Sequence, residues 1–173
     1  MAKLLQNTSD QDIKEVEFIQ PIKPMPEPIP EPVENLNTKL IRIADALTLL
    51  NKDITPNDET PDEVACVQNF CEVMNKVITF PKLEHTAELL KELKRNPKFE
   101  GTLDFNEASI IVNATGTGNG TLRGHCGYIG TNNGIISGNS FNGKWEYNYT
   151  IGTWKARFRI RGGMPVYLFK FKD

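Results

Sequence analysis

No stretch of the 173-residue chain is apolar for the length of a signal-peptide core or a membrane span, so neither a cleavable leader nor insertion into a bilayer is expected. Histidine is scarce, with only His85 and His125, and the three cysteines Cys66, Cys71 and Cys126 form no CxxC pair. That excludes the usual zinc-ligand spacings, and an odd number of thiols without a leader points to reduced cysteine rather than a disulfide framework. Basic residues form no broad cluster, and with a formal net charge of −2 the chain is not expected to bind nucleic acid. The short run Lys155-Ala156-Arg157-Phe158-Arg159-Ile160-Arg161 is read as the polar face of one element. The glycine-rich Thr115-Gly116-Thr117-Gly118-Asn119-Gly120 is followed by neither Gly-Lys-Ser/Thr nor a helical pattern, so no nucleotide, metal or other cofactor is called for.

What is present divides the chain in two. Residues 1–34 are charged and then proline-rich, and Pro21, Pro24, Pro26, Pro28, Pro30 and Pro32 deny the segment helix and interior-strand structure. Ile22, Met25, Ile29 and Val33 interleave with them, which gives an extended polyproline-type arm that tethers the domain or lies along another protein. Apolar residues concentrate after Asn35, so residues 35–173 are expected to hold one core.

Within that domain helical periodicity comes first. Leu40, Ile43, Leu47 and Leu50 make one apolar face of a helix starting at Asn37 or Thr38. Thr60-Pro61-Asp62-Glu63 combines a capping threonine, proline at the first helical position and a glutamate three residues on, which predicts a second helix from Pro61. Val67, Phe70, Cys71, Met74, Val77 and Ile78 form its stripe. A third helix is predicted over 86–96 and stopped by Pro97, with His85 before it in a surface or capping role. After Gly101 the period becomes that of strands, at 108–114, 125–129, 135–141 and 145–149, with Asn132-Asn133-Gly134 as a hairpin signal. Thr150 caps a short helix carrying Trp154 and Phe158, and a strand over 164–171 closes the chain. Helices first and an antiparallel sheet second make an α+β domain.

Two positions carry chemistry. Cys66 falls in the second turn of the capped helix, where the helix dipole still favours a thiolate while Asp62 and Glu63 oppose it. By itself such a cysteine is a small buried residue, as Cys71 is expected to be. Gly124-His125-Cys126-Gly127 changes that by bringing a histidine to the start of a strand, because a thiol nucleophile requires a general base from elsewhere in the fold.

From Leu47 to the C-terminus the chain resembles papain-fold cysteine peptidases of the NlpC and CHAP type, in particular a phage-associated branch. The resemblance is carried by Asn57-Asp58-Glu59-Thr60-Pro61-Asp62-Glu63-Val64-Ala65-Cys66, the Thr115 to Gly120 loop and Gly124-His125-Cys126-Gly127. It extends through Tyr147-Asn148-Tyr149-Thr150 and Gly162-Gly163-Met164-Pro165-Val166-Tyr167. It implies a papain-like α+β fold with Cys66 as nucleophile, His125 as base and a polar residue on the following strand to orient the imidazole. Ser137 and Asn139 are the candidates, since Gly138 between them offers no side chain. It further implies a phage peptidoglycan hydrolase, endopeptidase or amidase, that cleaves an amide without metal or cofactor. Its partner would be peptidoglycan, with virion proteins contacted through residues 1–34, and its location the virion or the host cytoplasm before release. The competing expectation is a virion structural or adaptor protein with a vestigial site that docks through the arm. A cysteine hydrolase of a protein target is the third.

Overall fold

A computed structural model of the chain describes residues 34–56, 59–60, 65–114 and 124–172, all within the unit Val33–Asp173. The expected arm over residues 1–33, the cap residues 61–64 and the loop 115–123 lie outside the described residues. Glu34, counted above with the arm, is tied to the domain by a two-pronged ion pair with Arg42.

Three helices come first: α1 (Leu36–Thr48), α2 (Cys66–Met74) and α3 (Thr86–Arg95). The Asn35 side chain starts α1 by accepting the Asn37 backbone N–H, and the helix buries Leu40 and Ala44. Leu50, expected on its apolar face, lies past the end of α1 and is exposed, because the chain turns away there with Asn51 at φ 48°. α2 also departs from expectation, beginning at Cys66 with Ala65 in the cap position and no side-chain cap. The Thr60 hydroxyl donates to Gln68 Oε1 at 3.1 Å. Cys66 is therefore in the first turn rather than the second. His85 sits at the cap of α3 but makes no capping bond, and Asn96 is extended as the residue before a proline tends to be.

The sheet is six-stranded and antiparallel throughout. Its strands are β1 (Phe99–Thr102), β2 (Ile110–Asn113), β3 (His125–Ile129), β4 (Gly134–Gly138), β5 (Trp145–Thr150) and β6 (Tyr167–Phe171), in the order β1-β6-β2-β3-β4-β5. β1 was not foreseen, and the closing strand inserts between it and β2. After β5 a reciprocal Thr150–Thr153 capping box opens α4 (Ile151–Trp154), which runs into a π-helix, Lys155–Arg161.

Strand alternation divides the apolar side chains between two faces. Ile110, Val112, Cys126, Tyr128, Ile136 and Trp145 face α1–α3, where they pack with Leu40, Phe70, Cys71, Met74 and Leu89. Phe70 stacks on Tyr128 with ring centroids 4.5 Å apart, and the Tyr128 hydroxyl donates to the Phe70 carbonyl at 2.7 Å. This is the contact that seats α2 on the middle of the sheet, and each fully buried ring contributes about 1.5–3 kcal/mol. Ile111, Ile129, Ile135 and Leu168 face the other way, beneath Trp154 and Phe158.

Candidate active site

Cys66 is the first residue of α2, and His125 is the first residue of β3. Both are buried, at 7% and 8% exposure. The His125 ring is enclosed by aromatic side chains, with Trp154 at 5.3 Å, Phe158 nearly parallel at 5.4 Å and the edge of Tyr149 at 5.7 Å between centroids. Asn113, paired opposite His125 in β2, fixes that enclosure by accepting the Trp154 indole N–H and donating to the Pro165 carbonyl at 2.8 Å.

The imidazole is held from β4. His125 Nε2 lies 3.0 Å from Ser137 Oγ, and the Ser137 hydroxyl donates its single proton to Asn148 Oδ1 at 2.7 Å. Asn148 Nδ2 in turn donates to the Ser137 carbonyl, which settles which end of the amide faces the hydroxyl. Ser137 Oγ must therefore accept from Nε2–H, leaving Nδ1 as the ring nitrogen free to act on the thiol. Gly127 leaves room for this arrangement, since a Cβ there would stand 2.5 Å from the Ile136 carbonyl oxygen and 3.1 Å from Ser137 Cβ.

A β-bulge places Asn148. Ile135 pairs with Tyr149 but Ile136 pairs with Tyr147, so Asn148 is the extra residue on β5. Trp145 and Tyr147 point toward α1, donating to the Ala44 carbonyl and to Asp45. Uninterrupted alternation would send Tyr149 there too. The bulge turns it to the opposite face, against His125, Trp154 and Phe158.

The Cys66 thiol is held well below the usual thiol range. The largest cause is a hydrogen bond from the Cys126 thiol; burial pushes the other way, and the charge of His125, a hydrogen bond with its ring and the Cys126 backbone N–H add to the lowering. Cys126 itself is pushed up, by burial first and then by Cys66, and its sulfur also lies 3.4 Å from the Cys66 carbonyl oxygen. The first turn of α2 adds its partial positive charge in the same direction. Cys71 is pushed up to about 11, chiefly by burial, and stays a thiol.

Of the residues expected at the site, the structure brings together Cys66, His125 and Ser137. Asn139 is not among them: its amide nitrogen donates to Glu146 and its Oδ1 accepts the Phe141 N–H at 2.8 Å, in the turn that leaves β4. Gly138 has no space for a side chain, because a Cβ would lie 2.5 Å from Asn69 Nδ2 and 3.7 Å from Cys66 Cα. Asn148 and Cys126 were quoted within motifs but given no role, and neither could be assigned one without the bulge and the α2–β3 packing. Among the described residues no group of three His, Cys, Asp or Glu could hold a metal ion. Beyond Tyr149 the surface opens into a cleft of about 480 Å³ lined by Tyr149, Thr153, Ala156, Arg157 and Arg161.

Comparison with protein-family models, curated proteins and solved structures finds no match.

Proposed function

We propose that the chain is a cysteine-dependent amide hydrolase with papain-like, NlpC/CHAP-type architecture, acting on peptidoglycan as a phage lysis or virion enzyme. The observation that supports the chemistry is an imidazole whose Nε2 is held by Ser137 and Asn148, beside a Cys66 thiol that is held low with His125 among the causes. The wall substrate and the phage context rest on the motif resemblance.

In this mechanism the Cys66 thiolate adds to the amide carbonyl, with backbone N–H groups at the start of α2 lacking intrahelical acceptors and so able to stabilise the oxyanion. Nδ1 of His125 carries the thiol proton and delivers it to the departing amine as the thioester forms. Water, deprotonated by Nδ1, then attacks the thioester and releases the acid and the free thiol. Ser137 keeps the Nε2–H hydrogen-bonded through both steps, so the ring does not rotate as its charge changes.

The test is incubation of the purified full chain with purified cell wall, with mass spectrometry of the soluble fragments. Fragments ending in a new amine and a new carboxyl, absent with Cys66→Ala, are the expected result. Wall left intact by a folded protein whose Cys66 still reacts with iodoacetamide would overturn the wall substrate. An intact wall with an unreactive Cys66 would favour an adaptor with a vestigial site.

A further inference from the structure

The π-helix Lys155–Arg161 carries four basic residues, and from Tyr147 to Lys172 the sequence contains no aspartate or glutamate. The described arginines outside this helix find carboxylates: Arg42 pairs with Glu34 and Arg95 with Glu92. Among the described residues none pairs with Arg157 or Arg161. Both line the 480 Å³ cleft, four residues apart. Each guanidinium offers parallel N–H donors matched to a carboxylate. Arg157 is further held with its guanidinium carbon 5.8 Å from the Tyr149 ring centroid and 5.6 Å from that of Phe158.

The position of the cleft gives those charges a use. Tyr149 is at once a wall of the cleft and part of the aromatic enclosure of His125. A group seated between Arg157 and Arg161 is therefore one aromatic side chain away from the general base. Burial holds the Tyr149 hydroxyl protonated, against the pull of Arg157. It is a neutral neighbour for an anion rather than a competing charge.

We infer that this cleft is a carboxylate-binding subsite, with Arg157 and Arg161 receiving an acidic residue of the substrate peptide that flanks the scissile amide. The inference rests on the hydrolase reading for its substrate, but not for its binding chemistry. Arg159, exposed on the same helix and outside the cleft lining, serves as the internal control.

The experiment titrates full-length Cys66→Ala protein with two probes by calorimetry. One is C-terminally amidated Ala-γ-D-Glu-Lys-D-Ala with its glutamyl carboxyl free, and the other is the same peptide with that carboxyl converted to the amide. The acid is expected to bind at least about tenfold more tightly, since a charge-assisted bidentate contact is lost in the amide. Arg157→Gln/Arg161→Gln should equalise the two probes, and Arg159→Gln should leave the discrimination intact. Equal affinities in the parent protein, no binding of either probe, or discrimination that survives the double substitution would overturn the subsite. Hydrolysis of cell wall by the unsubstituted chain is measured beside it: discrimination without hydrolysis sinks the enzyme reading and leaves the subsite, and hydrolysis without discrimination does the reverse.

Discussion

Asn148 holds Ser137 at both ends, accepting its hydroxyl at 2.7 Å and donating to its carbonyl, and through that grip it sets the tautomer of a histidine it does not touch. Ser137→Ala removes the acceptor for Nε2–H and leaves a buried donor unpaired, which is expected to cost about 1–3 kcal/mol of stability. The ring is then free to tilt, and turnover should fall by about tenfold to a hundredfold. Asn148→Ala should lower turnover in the same direction, and Asn148→Asp, which keeps an oxygen acceptor, should restore part of it. Equal turnover in all three variants and the parent would remove Ser137 and Asn148 from the mechanism.

Cys66→Ala and His125→Ala are expected to abolish hydrolysis of cell wall while urea denaturation stays cooperative. Cys71→Ala should keep activity and cost on the order of 1 kcal/mol, since it leaves a small gap in the core. Comparable loss of activity at Cys66 and Cys71 would show that the nucleophile has been misassigned.

The Cys126 thiol is the chief cause of the low Cys66 value. Cys126→Ala should therefore raise it, and every unit of rise leaves tenfold less thiolate at pH values below the titration. The pH profile of Cys66 alkylation by iodoacetamide should therefore shift to higher pH in the variant. An unshifted profile would mean that His125 and the helix terminus suffice without Cys126.

Gly138→Ala sets a methyl group 2.5 Å from Asn69 Nδ2, and Asn69 is anchored because the other end of its side-chain amide lies 2.8 Å from the Thr55 hydroxyl oxygen. The expected loss is about 1–3 kcal/mol, measured by urea unfolding. Combining it with Asn69→Ala should cost less than the sum of the two single changes, because the clash is shared. Strict additivity would locate the strain elsewhere.

Stability should decline in alkali. Cys71 is pushed up to about 11 from an ordinary value of 9.0, with burial as the first cause, so the folded protein keeps a proton that the unfolded chain releases. Its contribution is complete below pH 9 and is lost as pH rises toward 11. Cys126 and Tyr128, also held protonated by burial, act in the same direction. Urea midpoints taken between pH 8 and pH 11 should fall, and Cys71→Ala should flatten part of that slope.

Periodicity within one turn or one pleat made α1, α3, the hairpin of β3 and β4 and the closing strand legible. β1 escaped because Phe99-Glu100-Gly101-Thr102 has no alternating apolar pattern and becomes a strand by pairing with β6. The cap predicted at Thr60 to Glu63 rests on residues 61–64, outside the described residues; α2 as described begins at Cys66. Ser137 and Asn139 have the same parity, so alternation could not choose between them. Tertiary structure chose, because β4 ends at Gly138 and Asn139 turns into the following loop to meet Glu146. Asn148 and Tyr149 reach the site through a bulge whose register belongs to the pairing of two strands, and Arg157 and Arg161 reach theirs because the helix after β5 folds back over His125. Sequence by itself determined which side chains could do the chemistry, since that depends on residue type and local period. Which of them meet was decided by strand register and by the packing of α2 on the sheet, contacts between residues too far apart in the chain for any local pattern to record.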